Sequence, residues 1–401
     1  MSELIINYSE RVNRLFELAC RLIDGENGNL LIAEFKPFIE KVTAAEAMQI
    51  LDRLLLQEYP LNTVKRNVGK IINVFYKSLN GHTWDKPGEG HFLYYLMLEN
   101  REVEQVIAKA RPAIKAILKG EGADQELTLA DLRTFINRLK DYELHYIKKE
   151  NILFPYLEKS FEQHRCLQLM WSFHDDFRHS LKALGLLLQS QKPDKESLNK
   201  ELGRLFFVIF PVIFREEQIV FPVAFHVLRE DSWIEMLKQS FEIGWCYGIK
   251  PLKKENSGES QLNTGGMINL GTGFLSPGQL VLLFNNLPVD ITYVDMNDEV
   301  RYFSGAIHRI FPRSKAIIGR KVQNCHPPES VHVVNEIIDA FRSKKKDHAD
   351  FWIQAKGRFI HIRYFALRNE KSEYMGTIEV SQDISEIRKL DGERRLLDWN
   401  K

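Results

Sequence analysis

Two stretches decide the fold: His145-Tyr-Ile-Lys-Lys-Glu-Asn-Ile-Leu-Phe-Pro155 and Val212-Ile-Phe-Arg-Glu-Glu-Gln-Ile-Val-Phe-Pro222. Each places charged residues four and five positions beyond its first, then an apolar pair and Phe-Pro. Inward-pointing residues on separate helices of a bundle meet at its axis, the usual way to assemble histidines and carboxylates around iron or manganese. Outward from these segments the pattern is helical almost without a break up to about residue 248, with glycine and proline confined to a few places. Four long amphipathic helices are predicted over roughly 91–118, 128–158, 164–191 and 196–228, with short polar connections. That spacing points to an up-down four-helix bundle. A shorter helix comes next, opened by the capping box Ser232-x-x-Glu235.

Ahead of the bundle, residues 1–82 read as a small all-helical domain. Thr43-Ala-Ala-Glu46 is a capping box, and Asn80-Gly81 stops the helix after it. A unit of that size has little core of its own and is expected to dock on the helices C-terminal to it.

Behind the bundle the composition changes. Residues 249–275 are rich in Gly, Ser, Asn and Lys without periodicity and read as a flexible linker. Ser276-Pro277 then looks like an N-cap with proline at the first helical position. Strands are predicted at Ile291–Met296, Val300–Ser304, Phe351–Gln354, Phe359–Ala366 and Tyr374–Val380, with helix between the second and third. Residues 277–391 thus form an α+β domain on an antiparallel sheet, and a helix Ile384–Trp399 is expected to run into a helical tail at 392–401.

Composition narrows the function. The 401 residues, 44% hydrophobic and 27% charged, fit two or three globular domains. Lys and Arg number 55 against 54 Asp and Glu, so there is no general field for nucleic acid. The longest apolar run, Leu205–Phe214, is half the ~20 residues a bilayer span needs and contains Pro211. The N-terminus is polar from the start, and the four cysteines contain no CxxC pair. A cytoplasmic protein is expected. No phosphate loop, nucleophile elbow, HExxH or kinase signature occurs, so no enzyme is predicted.

The two Phe-Pro segments, with Met170-Trp-Ser-Phe-His-Asp-Asp-Phe-Arg178 between them, resemble the hemerythrin-like (HHE) cation-binding domain. Gly90-His91, Glu99-Asn100 and Gln239-Ser-Phe-Glu-Ile-Gly244 are similar to the variant that follows a DUF438 helical domain and precedes a PAS domain. Residues 277–391 resemble that PAS domain through Tyr293-Val-Asp295, Ile318-Gly-Arg-Lys-Val-Gln-Asn-Cys-His-Pro-Pro328 and Gln382-Asp-Ile-Ser385. The resemblance implies a multidomain chain: a DUF438-like domain at 1–82, a hemerythrin-like bundle at 87–248, the linker, and the PAS domain.

The resemblance also implies a metal site. His91, His145, His174 and Glu217 match the family's ligand positions, whereas Lys149, Arg178 and Val212 stand where further ligands belong. A residue five along a helix lies about 140° round from its start, so Glu150 and His179 face away from His145 and His174 unless the helix is distorted. Glu216 is the other near ligand. The retained set suits one non-haem iron, or manganese or zinc, better than a pair. Two readings remain open. In one, the chain is a sensor or iron-handling protein whose iron responds to O2, NO or redox state and is coupled to the PAS domain. In the other, Lys149 and Arg178 neutralise Glu216 and Glu217 in a salt-bridge network, leaving a metal-free interaction scaffold.

A second candidate lies in the PAS-like domain. Cys325 and His326, with His332 about two turns on, put a thiol and two imidazoles near one helix start, where thiols become reactive. That group could sense redox state, ligate a haem or metal, or serve local hydrogen bonding, and the PAS pocket could take haem, flavin or a small metabolite. Because a PAS domain relays its signal to an output, the output here is expected through a protein partner or a homodimer formed by the PAS domain.

Overall fold

The computed structural model describes residues 2–119, 125–251, 266–306 and 309–393. The chain divides into two compact units, Met1–Lys253 and Lys254–Lys401.

The first unit is all helical. Its N-terminal part comprises α1 (Ser2–Ile23), α2 (Gly28–Glu34), α3 (Ala44–Arg53) and α4 (Leu61–Gly81). The Thr43 hydroxyl accepts from the Glu46 N–H while the Glu46 carboxylate accepts from the Thr43 N–H, so the capping box opens α3 as predicted. The bundle is made of α5 (Phe92–Lys119), α6 (Gln125–Asp141), α7 (Glu143–Lys148), α8 (Phe154–Ser160), α9 (Leu167–Leu187), α10 (Lys195–Arg215) and α11 (Phe221–Val227). Neighbours pack in chain order, α5 on α6, α6 on α9, α9 on α10 and α10 back on α5, the ring of an up-down bundle. One continuous apolar core runs from Leu15 through Phe75, Phe92, Phe177 and Phe221 to Cys246. Residues 1–82 thus share their core with the bundle, which compensates for their small size.

Three predictions for this unit need correction. Where periodicity predicts one helix over 128–158, the chain turns at Tyr142 and widens into a π-helical turn over Lys149–Leu153. A second π turn, Glu216–Val220, interrupts the fourth helix at the matching place. In each, the phenylalanine N–H bonds five residues back, Phe154 to the Lys149 carbonyl and Phe221 to the Glu216 carbonyl. A proline follows each phenylalanine, bringing no N–H and a ring that crowds the carbonyl four residues earlier, which a widened turn accommodates. The last helix, α12 (Glu230–Ile243), begins two residues before Ser232, and no side chain caps it.

The second unit opens with a hairpin of β1 (Ile268–Asn269) and β2 (Phe274–Leu275), inside the span read as linker; residues 252–265 lie outside the described set. Helix α13 (Pro277–Asn285) is capped by Ser276 and Gln279. Then come β3 (Asp290–Asp295), β4 (Val300–Phe303), α14 (Val331–Arg342), β5 (His348–Ala355), β6 (Arg358–Arg368) and β7 (Tyr374–Asp383). The strands form one antiparallel sheet in the order β4-β3-β7-β6-β5. Gly376 sits opposite Asp295 with φ +139, and a Cβ there would strike the Val294 carbonyl oxygen, so this register position admits only glycine. After β7, residues 384–393 carry one 3-10 turn, Ile387–Lys389, in place of the helix expected from Ile384; residues 394–401 lie outside the described set.

Candidate functional site

The π turns determine what reaches the bundle axis. By taking in an extra residue, each lets two consecutive side chains point inward: Lys149 with Glu150, and Glu216 with Glu217, are all buried. Glu150 is therefore part of the site, contrary to the straight-helix expectation, and His179 is exposed, in agreement with it.

Around the axis every buried glutamate meets a cation. Lys148 Nζ lies 2.8 Å from Glu99, and Arg178 lies 2.8 Å from Glu150. Lys149 contacts Glu216, and Arg101 contacts Glu217. His145 stands between two carboxylates, with Nδ1 2.9 Å from Glu99 and Nε2 3.1 Å from Glu216. His174 has Nδ1 2.8 Å from Glu150 and Nε2 3.1 Å from Lys149 Nζ. Asn100 donates its amide to Glu216 at 3.1 Å and to Glu217 at 3.2 Å, and accepts from the Tyr142 hydroxyl at 2.5 Å. The imidazole faces are covered too, by Tyr142 at 4.7 Å from His145 and Tyr146 at 4.1 Å from His174.

Burial sets the charge states. It pulls His145 down to about 3, with Lys149 acting the same way, and it lowers His174 well below its ordinary value. Burial also favours protonated Glu99, but Lys148 and His145 hold that carboxyl at about 2. Burial pushes Glu150 up to about 7 against the opposing pull of Arg178. Lys149 is pushed down by burial, while the carboxylates around it oppose the shift.

These residues do not fit a metal ion. Both nitrogens of His145 and of His174 are engaged by protein groups, and Lys149 occupies the point between His174 and Glu216. Among the described residues no group of three or more histidine, cysteine, aspartate or glutamate side chains is placed to hold a metal. His91, the fourth sequence candidate, lies against Trp233 at 4.7 Å and Phe225 at 5.7 Å. Its Nδ1 accepts from the Leu93 N–H at 3.1 Å, while Nε2 is buried with no hydrogen-bond partner. Sequence reasoning did not assign Glu99, Asn100 or Lys148 a role in the site. Lys148 stands one turn after His145 on the same helix, whereas Glu99 and Asn100 stand eight and nine residues after His91.

In the second unit the helix start foreseen beside Cys325 lies elsewhere. Cys325 closes a 3-10 turn, Val322–Cys325, and α14 begins only at Val331. Cys325 is buried and His332 exposed, so the three candidates do not converge. His326 instead lines a cavity of about 310 Å³ between α14 and the sheet. Its walls are apolar (Val294, Val334, Ile338, Phe351, Ile362) and its polar groups are His326, Ser330, Tyr364, Thr377 and Glu379. Burial and the nearby Arg313 lower His326 to about 4, so the ring is neutral, and burial beside Glu379 raises the Tyr364 phenol.

Comparison with known proteins gives two family matches. Residues 91–224 match the hemerythrin HHE cation-binding domain, and residues 280–385 match a PAS domain. Neither match reaches residues 1–82. Among solved structures, the C-terminal domain of a Streptococcus mutans protein is 30% identical, covering 32% of this chain and 100% of its own, with TM-score 0.31. The PAS domain of a Colwellia psychrerythraea protein is 18% identical over 27% of this chain and 97% of its own, TM-score 0.23. A sensory box sensor histidine kinase from Vibrio cholerae is 13% identical over 27% and 92%, TM-score 0.22. No curated protein matches the chain. No helix among the described residues is long and apolar enough to cross a membrane.

Proposed function

We propose that this chain, which carries a hemerythrin HHE cation-binding domain and a PAS domain, is a cytoplasmic sensor whose PAS cavity takes a small ligand. Its signal passes to a protein partner or a second copy of the chain, and its bundle serves as a salt-bridged scaffold. The observation that carries this reading is the 310 Å³ cavity. Ligand pockets run from about 300 to 1,000 Å³, so the cavity lies at the small end and suits a compact molecule better than a macrocycle such as haem. Apolar walls supply affinity, and Glu379 accepts hydrogen bonds while neutral His326 and the Ser330, Tyr364 and Thr377 hydroxyls can donate or accept, which suits a ligand with a small polar group on an apolar body. Indole, with one N–H on an apolar body, is a suitable probe. Calorimetric titration of the full chain should show saturable binding that Val334→Trp abolishes. Heat without saturation, or equal binding by that variant, overturns the reading.

The second reading places one iron at His91, His145, His174 and Glu217, responding to O2, NO or redox state. The family match and the unpartnered Nε2 of His91 favour it. It requires Lys149 to leave the axis. Iron analysis of protein purified without an affinity tag tests it, with His145→Ala as control.

A further inference from the structure

The matched family is a cation-binding one, yet the axis of this bundle already holds a cation of its own. Lys149 projects from a π turn to a point 3.1 Å from His174 Nε2 and in contact with Glu216. Glu216 in turn holds His145 at 3.1 Å and Asn100 at 3.1 Å. The Lys149 amine thus links an imidazole of the third helix to a carboxylate of the fourth, bridging facing helices as a metal ion would. Each of Glu99, Glu150, Glu216 and Glu217 also already faces a cation, Lys148, Arg178, Lys149 and Arg101, and buried Asp175 shares Arg178 with Glu150.

We infer that Lys149 is the resident cation of the bundle: its side chain replaces the metal, makes the axis complete without one, and excludes divalent ions. The site remains one substitution from metal binding. Lys149→Glu removes the competing charge and adds an oxygen donor beside His174 and Glu216. Lys149→Met removes the charge alone, freeing His174 Nε2 and leaving Glu216 without its cation. This inference is independent of what the PAS cavity takes.

The test is titration of the full chain with cobalt(II) alone, read by calorimetry, by visible absorbance and by thermal midpoint. The wild type should show no saturable uptake and no shift in midpoint. Lys149→Glu should take up about one equivalent, with the absorbance of a nitrogen- and oxygen-ligated ion and a raised midpoint. Lys149→Met should be less stable than wild type and regain stability with cobalt(II). A variant that folds only when cobalt(II) is present counts as support. Saturable uptake by the wild type overturns the inference, as do two variants that neither bind nor are stabilised.

Discussion

Lys149 Nζ lies 3.1 Å from His174 Nε2, inside a bundle where both residues are fully buried. An imidazole nitrogen that would otherwise be a metal donor is thereby used as a hydrogen-bond acceptor. Its other nitrogen lies against Glu150, so the neutral tautomer with Nδ1–H is fully satisfied.

Removing the Lys149 charge leaves Glu216 buried without its cation. Breaking one partner of a buried pair costs roughly 3–5 kcal/mol. Lys149→Met is expected to lower the denaturant midpoint of the helical unit by that order, and adding Glu216→Gln should recover part of the loss. A double-mutant cycle from chemical denaturation, followed by far-ultraviolet circular dichroism, measures it.

The PAS domain should lose stability in acid through His326. Its folded pKa, about 4, lies below the ordinary 6.5, because burial and Arg313 disfavour the charged ring. A depressed pKa stabilises above 6.5, and that stability is lost as pH falls toward and through 4. Thermal midpoints across this window should fall in the wild type and fall less in His326→Leu.

Gly376→Ala should be severely destabilising for the sheet. The added methyl meets the Val294 carbonyl at a positive-φ position, so β7 must shift against β3. A loss of about 1–3 kcal/mol is the scale of such overpacking, with strain added. Thermal denaturation read in the near ultraviolet checks it.

Thr43→Ala removes the acceptor for the Glu46 N–H and one arm of the capping box. The expected cost is about 1 kcal/mol, since Glu46 is still paired with Arg11. Unfolding in urea should show a lower midpoint with unchanged slope.

The fold is largely legible in the sequence. Apolar spacing places the bundle helices, and alternation places β3, β4, β6 and β7 to within a few residues, because both patterns record which face is buried. The site is legible in its members and not in its geometry. Straight-helix arithmetic turns Glu150 away from the face of His145, whereas the π turn brings it inward to 2.8 Å from His174. Pro155 and Pro222 follow those turns, but Pro112 and Pro211 lie inside helices without one, so proline alone does not signal the widening. Lys149 is recognisable from sequence as a group able to replace a ligand, but only the side-chain positions show it between His174 and Glu216. His326 and Cys325 are sequence neighbours on different surfaces, one in the cavity wall and one packed in the core, which no spacing rule separates.

The most direct test is elemental analysis of untagged wild-type protein from cells grown with added iron and zinc. An axis completed by Lys149 predicts that neither metal accompanies the chain in stoichiometric amount. About one iron per chain, lost in His145→Ala, would contradict it.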